Sequence, residues 1–307
     1  MKKLFLFRNV QVGSAKVSHG MAVGLPSLTG ITGLASAFAA DLARSMGLPP
    51  TALVNAGALL AFENYKLHEG YKKITEKDKS GAKLSTRALA SAFASFTAHL
   101  LLEVEGVCEA ADEALANMDL VERSRDVLRT LRLCGASLVD APRPTSLNAQ
   151  KIEDLGSERL AALAMLPARA RVMVSATEVV EFMRERKLPL MEGLVAATLA
   201  PALRPAAFKT FFEDVMTEYG SEHQHTYGVV QDGYLLVGSA DRFAHRADFH
   251  GRHLPVHVAS ATLTLVRLQM AASLRISPAF EDGVHPADLA FWRLQPYRGG
   301  YLCRPSL

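Results

Sequence analysis

A strand, a polar loop and a helix follow one another in residues 4–42, and this order constrains the fold more than any other feature of the sequence. Residues 4–12 are apolar at first and polar at their end, a pattern typical of a strand. Ser27 or Thr29 can cap the helix, so that its first backbone N–H groups face the loop and can bind an anion. An ordinary crossover and an anion-binding loop both fit these residues. The apolar helix positions recur at the spacing of one buried face: Ile31, Leu34, Ala35, Phe38 and Leu42.

Two apolar segments flank a lysine-rich stretch. Residues 53–68 and 94–107 are predicted to form paired strands, since the second alternates partly between apolar and polar residues. The arm between them, residues 66–87, lacks helix or strand periodicity, and we predict a long basic loop. Such an arm is either a solvated loop or a contact for a nucleic-acid backbone, because lysine binds phosphate as a point charge without fixed geometry. Tyr65 and Tyr71 add rings on which bases could stack.

Helical patterns dominate the middle of the chain. Residues 119–133 predict an amphipathic helix capped by Asp119, with a row of arginines that is either a solvated face or a track for phosphates. A strand is predicted over residues 134–139. Helical patterns then follow with short proline-containing joints, in residues 151–166, 177–187, 190–203 and 205–219.

Strand patterns return from residue 226. The Gln231-Asp232-Gly233 segment lies between two apolar runs and predicts a hairpin turn. Residues 260–275 fit both a strand and a helix, and we predict a helix capped by Ser260. Residues 297–301 predict a final strand with a glycine kink.

Histidines are the main argument for catalysis, since seven of the ten lie between residues 223 and 285. The pairs His223/His225 and His253/His257 have spacings that could hold a metal ion or act as acid and base in RNA cleavage. Arginines lie among them, which favours contact with a nucleic-acid backbone instead. The sequence contains no phosphate-binding P-loop, no nucleophile elbow and no convincing pair of carboxylates. We therefore predict no catalytic residue, no metal and no cofactor.

Charge and cysteine content limit the class of protein. With 34 basic against 31 acidic side chains, the chain lacks the strong basic excess of a free-standing nucleic-acid binder. Its three cysteines are far apart and predict neither a disulfide framework nor a thiolate zinc site. Arg8 ends the first apolar run early, and the longest apolar stretch, residues 193–203, contains a proline. We expect a cytoplasmic protein without a membrane span.

Three blocks of the sequence carry a resemblance to one family. The first block is a polar loop followed by a helix start, the second is a glycine-containing strand, and the third is an aromatic C-terminal region. The chain resembles the small backbone subunit of the type I-F CRISPR Cascade (Csy) complex, a member of the RAMP superfamily that caps the guide RNA (crRNA) at its five-prime handle. The matching segments are Asn9-Val10-Gln11-Val12, Ser18-His19-Gly20, residues 24–34, Cys134-Gly135-Ala136-Ser137-Leu138, Gly233-Tyr234-Leu235-Leu236-Val237 and Phe291-Trp292-Arg293.

The resemblance implies an α+β fold, a ferredoxin-like (RRM-like) RAMP domain with an inserted helical bundle. Residues 1–148 would form the RAMP domain with its arm, residues 149–219 the helical insertion, and residues 220–307 the strands and helix that complete the domain. The implied function is that of a non-catalytic subunit that binds the five-prime handle of the crRNA and caps the backbone. Its partners would be crRNA, other Cascade backbone subunits and target DNA near the protospacer-adjacent motif.

The resemblance also implies a set of site residues. The chain lacks the strongly basic central stretch of a typical member, so a variant subtype is expected. Two alternatives stay open, namely a RAMP-type endoribonuclease that uses His250 or His253 and a helical adaptor protein. The implied RNA-binding residues are Asn9, Gln11, His19, Ser27, Thr29, Gly30, Thr32, Arg298 and Arg304, and the implied backbone-binding residues of the arm are Lys72, Lys73, Lys77, Lys79 and Lys83.

Overall fold

The structure, a computed structural model, describes residues 1–19, 22–77, 83–116, 120–139, 144–149, 152–219, 227–236, 244–247, 253–256, 259–277, 285–297 and 300–306. The strands are β1 Lys2–Lys16, β2 Ser18–His19, β3 Ala22–Val23, β4 Leu53–Lys77, β5 Lys83–Gly106, β6 Arg132–Leu133, β7 Ala136–Val139, β8 Thr145–Ala149, β9 Arg171–Ser175, β10 Tyr227–Leu236, β11 Ala244–Ala247, β12 His253–Val256, β13 Ala259–Met270, β14 Trp292–Tyr297 and β15 Gly300–Pro305. The α-helices are α1 Leu28–Ser45, α2 Glu109–Ala116, α3 Leu120–Thr130, α4 Ile152–Ala164, α5 Thr177–Glu185, α6 Leu190–Thr198, α7 Ala206–Tyr219 and α8 Ala271–Ile276. Short 3₁₀ turns lie at Pro201–Leu203 and Asp288–Ala290.

One antiparallel sheet holds most of the strands together. Its order is β14-β15-β10-β13-β9-β4-β5-β1-β7-β6, and β8 pairs with the first half of β1. Trp292 of β14 also pairs with Ala58 of β4. The strands β4, β9, β13, β10, β15 and β14 therefore form a closed ring, from which β5, β1 and β7 continue as an open sheet.

The predicted fold class is wrong. Instead of a ferredoxin-like α+β domain with an inserted helical bundle, the described residues form mainly one large antiparallel sheet with helices packed on it. Strand β9 lies inside the predicted helical insertion and pairs with β4 and β13 in the middle of the sheet. Four of its five residues are buried in succession, so it lacks the alternation by which a strand is recognised. The segment boundaries after residues 148 and 219 stay predictions.

Helix α1 lies against the largest apolar cluster, and its predicted buried face is confirmed. Phe38 makes edge-to-face contacts with Phe5 and Phe7 of β1, with ring centroids 5.5 and 5.7 Å apart. Such aromatic pairs add about 0.5–1.5 kcal/mol beyond the burial of their area. The helix also packs against β4, β10 and β14, so the curved sheet wraps around it.

Two further apolar clusters cover the rest of the sheet. Helices α4 and α8 pack over Leu4 and Leu6 of β1 and Leu59 of β4, on the face of the sheet opposite α1. Helices α5, α6 and α7 pack against β10 and β13 around Phe212 and Tyr227. No helix in the described ranges is long and apolar enough to span a membrane.

Three predicted elements differ in the structure. The described residues of the segment predicted as a basic loop, 66–77 and 83–87, belong to β4 and β5, which pair from Leu53 and Gly106 out to Lys77 and Lys83. The Gln231–Gly233 segment is a bulge within the continuous strand β10, not a turn. The predicted helix at residues 260–275 is strand β13 followed by the short helix α8. Backbone pairing to neighbouring strands decided each case.

A buried ion pair ties the C-terminal segment to the sheet. Arg159 of α4 is 3% exposed and donates from Nη2 to Glu103 Oε2 of β5 at 2.9 Å. Its Nη1 donates to Asp288 Oδ1 and to the Ser306 carbonyl oxygen, both at 2.8 Å. The Arg159 guanidinium also lies 4.5 Å from the centroid of the Phe291 ring. Burial alone would lower the pKa of Arg159, but the charge of Glu103 and bonds to both carboxylates raise it overall, so the side chain is always a cation.

Candidate nucleic-acid interface

Strand β1 changes from a covered strand to an open one at Arg8. Leu4 and Leu6 are buried beneath α4 and α8, whereas Arg8, Asn9 and Gln11 are exposed. The pairing with β5 shifts between Phe7 and Val10, and Asn9 has a φ of 61°. This is a β-bulge, an extra residue that increases the local twist of a strand. Beyond the bulge, the face that α4 and α8 covered is open.

The open surface of β1, β4 and β5 is a row of polar side chains, which we term the polar face. Residues that pair directly in an antiparallel sheet lie side by side on the same face. Gln11 and Glu63 both pair with Thr97, and Lys16 and His68 both pair with Phe93. The polar face comprises Arg8, Asn9, Gln11, Lys16, Glu63, Asn64, Lys66, His68, Phe93, Ser95, Thr97 and His99.

Amides and hydroxyls in the middle of the polar face make only long hydrogen bonds. Thr97 Oγ1 donates to Gln11 Oε1 and accepts from Asn64 Nδ2, both at 3.5 Å. Gln11 Nε2 donates to the Asn9 carbonyl oxygen at the same distance. These distances are at the long limit for hydrogen bonds. A ligand that offers better geometry can therefore replace them at little cost.

His99 and Glu63 form a buried pair at the edge of the polar face. His99 is 0% exposed, and its Nδ1 accepts a hydrogen bond from the Asn9 N–H at 3.3 Å. Its Nε2 lies 3.3 Å from Glu63 Oε2, so the neutral ring carries its proton on Nε2 and donates it to the carboxylate. Burial lowers the pKa of His99 and the Arg8 charge adds to this, while the hydrogen bond and charge of Glu63 oppose it.

The charge of the polar face is positive. Glu63 is the carboxylate of the set defined above, and its other oxygen accepts from Arg169 Nε at 3.1 Å. Arg169 is 87% exposed and lies beside the face, in the segment that joins α4 to β9. Arg8, Lys16 and Lys66 are exposed cations on the face itself. The nearly neutral chain therefore concentrates positive charge on one open sheet surface, as anion binding requires.

The arm extends two strands of the polar face. From Lys66, which pairs with Ser95, the β4–β5 ribbon continues to its last pair at Lys77 and Lys83. Lys72 and Lys73 lie on β4 within this ribbon, whereas Lys79 lies outside the described residues. The predicted lysines in the described part of the arm are thus carried on a two-stranded extension rather than on a loop.

The start of α1 is mostly sealed. Ser27 is the N-cap as predicted and accepts from the Gly30 N–H at 3.1 Å, but it is only 3% exposed. Thr32 is 0% exposed and donates to the Leu28 carbonyl oxygen at 2.9 Å. A Cβ atom at Gly30 would lie 2.5 Å from Cys134 Sγ, because the first turn packs on that residue. Burial thus removes Ser27 and Thr32 from any surface that a nucleotide can reach.

The remaining predicted residues that the structure describes do not join the polar face. Thr29 and Gly30 are half-buried at the start of α1, and His19 pairs with Ala22 in the β2–β3 hairpin. Arg304 is exposed on β15, on a different part of the surface. His253 is the first residue of β12. Arg298 and His250 lie outside the described residues.

Of the predicted contacts, Asn9 and Gln11 lie on the polar face. Sequence reasoning missed two cations near them, Arg8 and Arg169, whereas Lys66 is the first residue of the predicted basic arm. The bulge itself could have been found from the sequence of β1. The apolar residues Phe5 and Phe7 are two positions apart, and the next ones, Val10 and Val12, begin one position later than this alternation predicts.

No protein-family model matches the chain, and no curated protein matches it. The family resemblance therefore depends on the sequence blocks alone. Within the described ranges, no three His, Cys, Asp or Glu side chains form a group that could hold a metal ion.

Proposed function

We propose that the polar face and the arm bind single-stranded RNA. The observation that carries this proposal is the open sheet surface on which Arg8, Lys16 and Lys66 share one face with the amide of Gln11. Lysine and arginine bind phosphates, while amides and hydroxyls can form hydrogen bonds with bases and ribose. The resemblance supports a finer form of the proposal. The RNA is the five-prime handle of a crRNA, and the protein caps the backbone of a type I-F-like CRISPR complex.

Phe93 favours a single strand over a duplex as the ligand. Its partly exposed ring lies in register between the cation Lys16 and the imidazole of His68, on the same face as Lys66. A base can stack on such a ring only when it is unpaired, and stacking contributes about 1–3 kcal/mol per base. The neighbouring cations can bind the flanking phosphates at the same time.

Salt dependence of RNA binding tests the first part of the proposal. If Arg8, Lys16, Lys66 and Arg169 each contact a phosphate, the logarithm of the affinity should fall with the logarithm of the salt concentration with a slope of about −3. Each lost contact should reduce the slope by about 0.7. Fluorescence anisotropy with a labelled single-stranded RNA measures both quantities.

Charge-reversal variants on and off the polar face test where the RNA binds. K66E should weaken binding and flatten the salt slope, whereas K209E changes an exposed lysine of α7, outside the polar face, and should do neither. The double variant K72E/K73E tests the arm in the same way. Equal binding by K66E, K209E and the native protein would refute RNA binding on the polar face.

The nature of the RNA requires a separate experiment. The chain is expressed together with the CRISPR repeats and backbone subunits of its host, and the RNA bound to it is sequenced. Bound RNAs should begin with the repeat-derived handle, and the assembled complex should then retain target DNA. RNA bound without preference for the handle would leave the polar face as an RNA site and refute the role in a CRISPR complex.

A further inference from the structure

A cavity of about 410 Å³ lies between the start of α5 and the outer face of the β14–β15 hairpin. Its polar lining includes Ser175 and Thr177 on one wall and Arg293, Gln295 and Arg304 on the other. Leu289 and Pro305 supply apolar contacts. None of these residues belongs to the polar face, so an inference about the cavity is independent of RNA binding.

Two arginines face each other across the hairpin at the cavity wall. Arg293 of β14 pairs directly with Arg304 of β15, and both side chains are exposed. Side chains paired in this way are about 5 Å apart at Cβ, and like charges at such positions destabilise a sheet. With its amide oxygen turned toward Arg293, Gln295 accepts from Nε at 2.8 Å and holds the guanidinium in place. An anion between the two guanidinium groups would remove the repulsion.

The opposite wall offers neutral hydrogen-bonding groups. The hydroxyls of Ser175 and Thr177 lie 2.8 Å apart, and Thr177 is the first residue of α5. The N-cap position holds Ala176, whose side chain cannot cap the helix. The hydroxyls and the positive end of the helix thus face the same cavity as the arginine pair, and both attract phosphate oxygens.

The acidic groups near the cavity do not cancel its positive charge. Glu178 lines the cavity, but its carboxylate lies 3.6 Å from Nη1 of Arg267. Arg304 also interacts with Asp232, whose carboxyl pKa is raised by burial. Three arginines thus face two acids, and one of these acids is poorly stabilised as an anion.

We infer that this cavity binds a small phosphate-bearing molecule, with the phosphate between Arg293 and Arg304. Guanidinium groups bind phosphate oxygens in pairs of parallel hydrogen bonds, and two of them enclose a phosphate from two sides. The cavity volume is within the range of sites for small organic ligands, roughly 300–1,000 Å³. The ligand is therefore a phosphate ester about the size of a mononucleotide, with its organic part on Leu289 and Pro305.

Calorimetric titration in a phosphate-free buffer tests the inference, with AMP, inorganic phosphate and adenosine as probes. AMP should bind, inorganic phosphate should bind more weakly and compete with it, and adenosine should not bind. R293Q and R304Q should each weaken AMP binding at least tenfold. The control R186Q changes an exposed arginine directly after α5 that pairs with Asp214, and it should leave AMP binding unchanged.

Thermal unfolding separates loss of the site from loss of the fold. Because R304Q removes both the repulsion from Arg293 and the attraction to Asp232, it should change the Tm of the ligand-free protein little while it abolishes the rise in Tm that AMP produces. Absence of AMP and phosphate binding at millimolar concentration would overturn the inference. Equal AMP binding by R304Q and R186Q would also overturn it. The same holds if R304Q loses binding only to RNA with a five-prime phosphate and still binds AMP as the native protein does.

Discussion

Replacement of Arg159 by methionine tests whether the buried ion pair stabilises the protein through charge. Methionine keeps most of the length of the side chain, so the change removes the guanidinium and leaves little empty space. Glu103, whose side chain is 0% exposed, then loses its cationic partner inside the protein. Asp288 also loses a partner, but its side chain is 20% exposed and can be hydrated.

The stability that R159M should lose follows from the burial of the two carboxylates, Glu103 and Asp288. Removal of one partner from a buried ion pair typically costs about 3–5 kcal/mol, and we assign this loss to Glu103. The more exposed Asp288 contributes at most about 1 kcal/mol. R159M should therefore lose about 3–6 kcal/mol, a large share of the roughly 5–15 kcal/mol by which folded proteins are stable.

Protonation changes this cost with pH. An unpaired buried carboxyl has a pKa above its value in the unfolded chain, about 4.3 for glutamate. The folded variant therefore binds the proton more tightly than the unfolded one, and stability is lost as the pH rises through the raised pKa. The difference in the free energy of unfolding between R159M and the native protein should be smallest in mildly acidic buffer and largest in mildly alkaline buffer.

Urea unfolding followed by the fluorescence of Trp292 measures these differences. Trp292 is the single tryptophan of the chain, is 1% exposed and donates from Nε1 to the Met173 carbonyl oxygen at 3.1 Å. The control R44M removes an exposed arginine that pairs with Asp41 and should cost less than about 1 kcal/mol.

The double variant E103L/R159M separates charge from packing. It removes both charges and should recover most of the lost stability, because hydrophobic replacement of a buried ion pair is often neutral. Equal stability of R159M and R44M would refute the reasoning. Equal loss in R159M and in the double variant would show that packing, not charge, is responsible.

Two further predictions concern stability. Because the pKa of His99 is lowered in the folded protein, the unfolded chain binds more protons below about pH 6.5, and stability should fall as the pH decreases from there. H99Q should flatten this slope in urea unfolding, and an unchanged slope would contradict the assignment. A Cβ atom at Gly233 would collide with the Tyr301 carbonyl oxygen, so G233A should cost about 1–3 kcal/mol. G13A, with no neighbour within 4 Å, is the matched control, and equal unfolding midpoints would contradict the prediction.

Elements with complete local signals could be predicted from the sequence. Helix α1 has a capping Ser27 and an apolar stripe, and both agree with the prediction. Strand β13 could not be predicted, because its apolar residues also fit the spacing of a helix. Pairing with β9 on one side and β10 on the other decides its conformation, and neither neighbour is close in sequence.

The candidate site was predicted only in part, because it also depends on pairing between segments that are distant in sequence. Asn9 and Gln11 were identified as polar residues at the end of the first strand, and the structure exposes both. Their predicted neighbours at the helix start, Ser27 and Thr32, are buried, because the first turn of α1 packs on Cys134, which is distant in sequence. Register between β1, β5 and β4 places Gln11, Thr97 and Glu63 in one row, with Lys66 beside Ser95 further along the same face, and no local pattern contains this information.

The bulges explain why the same strands carry both the core and the polar face. In β1, the residues packed toward α1 are Phe5 and Phe7, then Val10 and Val12, then Ala15 and Val17, so each bulge skips one residue. Without the extra residue at Arg8 and Asn9, Gln11 would point into the core and Val10 and Val12 into solvent, because one step reverses every side chain.

Strand β4, on the other side of β5, contains a β-bulge of the same kind. Its residues on the α1 side also skip one position, since Phe62 is followed by Tyr65. Its pairing with β5 shifts at the same place, between Glu63 and Lys66. At this bulge Asn64 has a φ of 53°, as Asn9 has a positive φ in β1, and asparagine tolerates this conformation better than most residues. The two bulges flank the segment of β5 around Thr97, so they open the sheet at the same level and bring cations from both strands onto one surface.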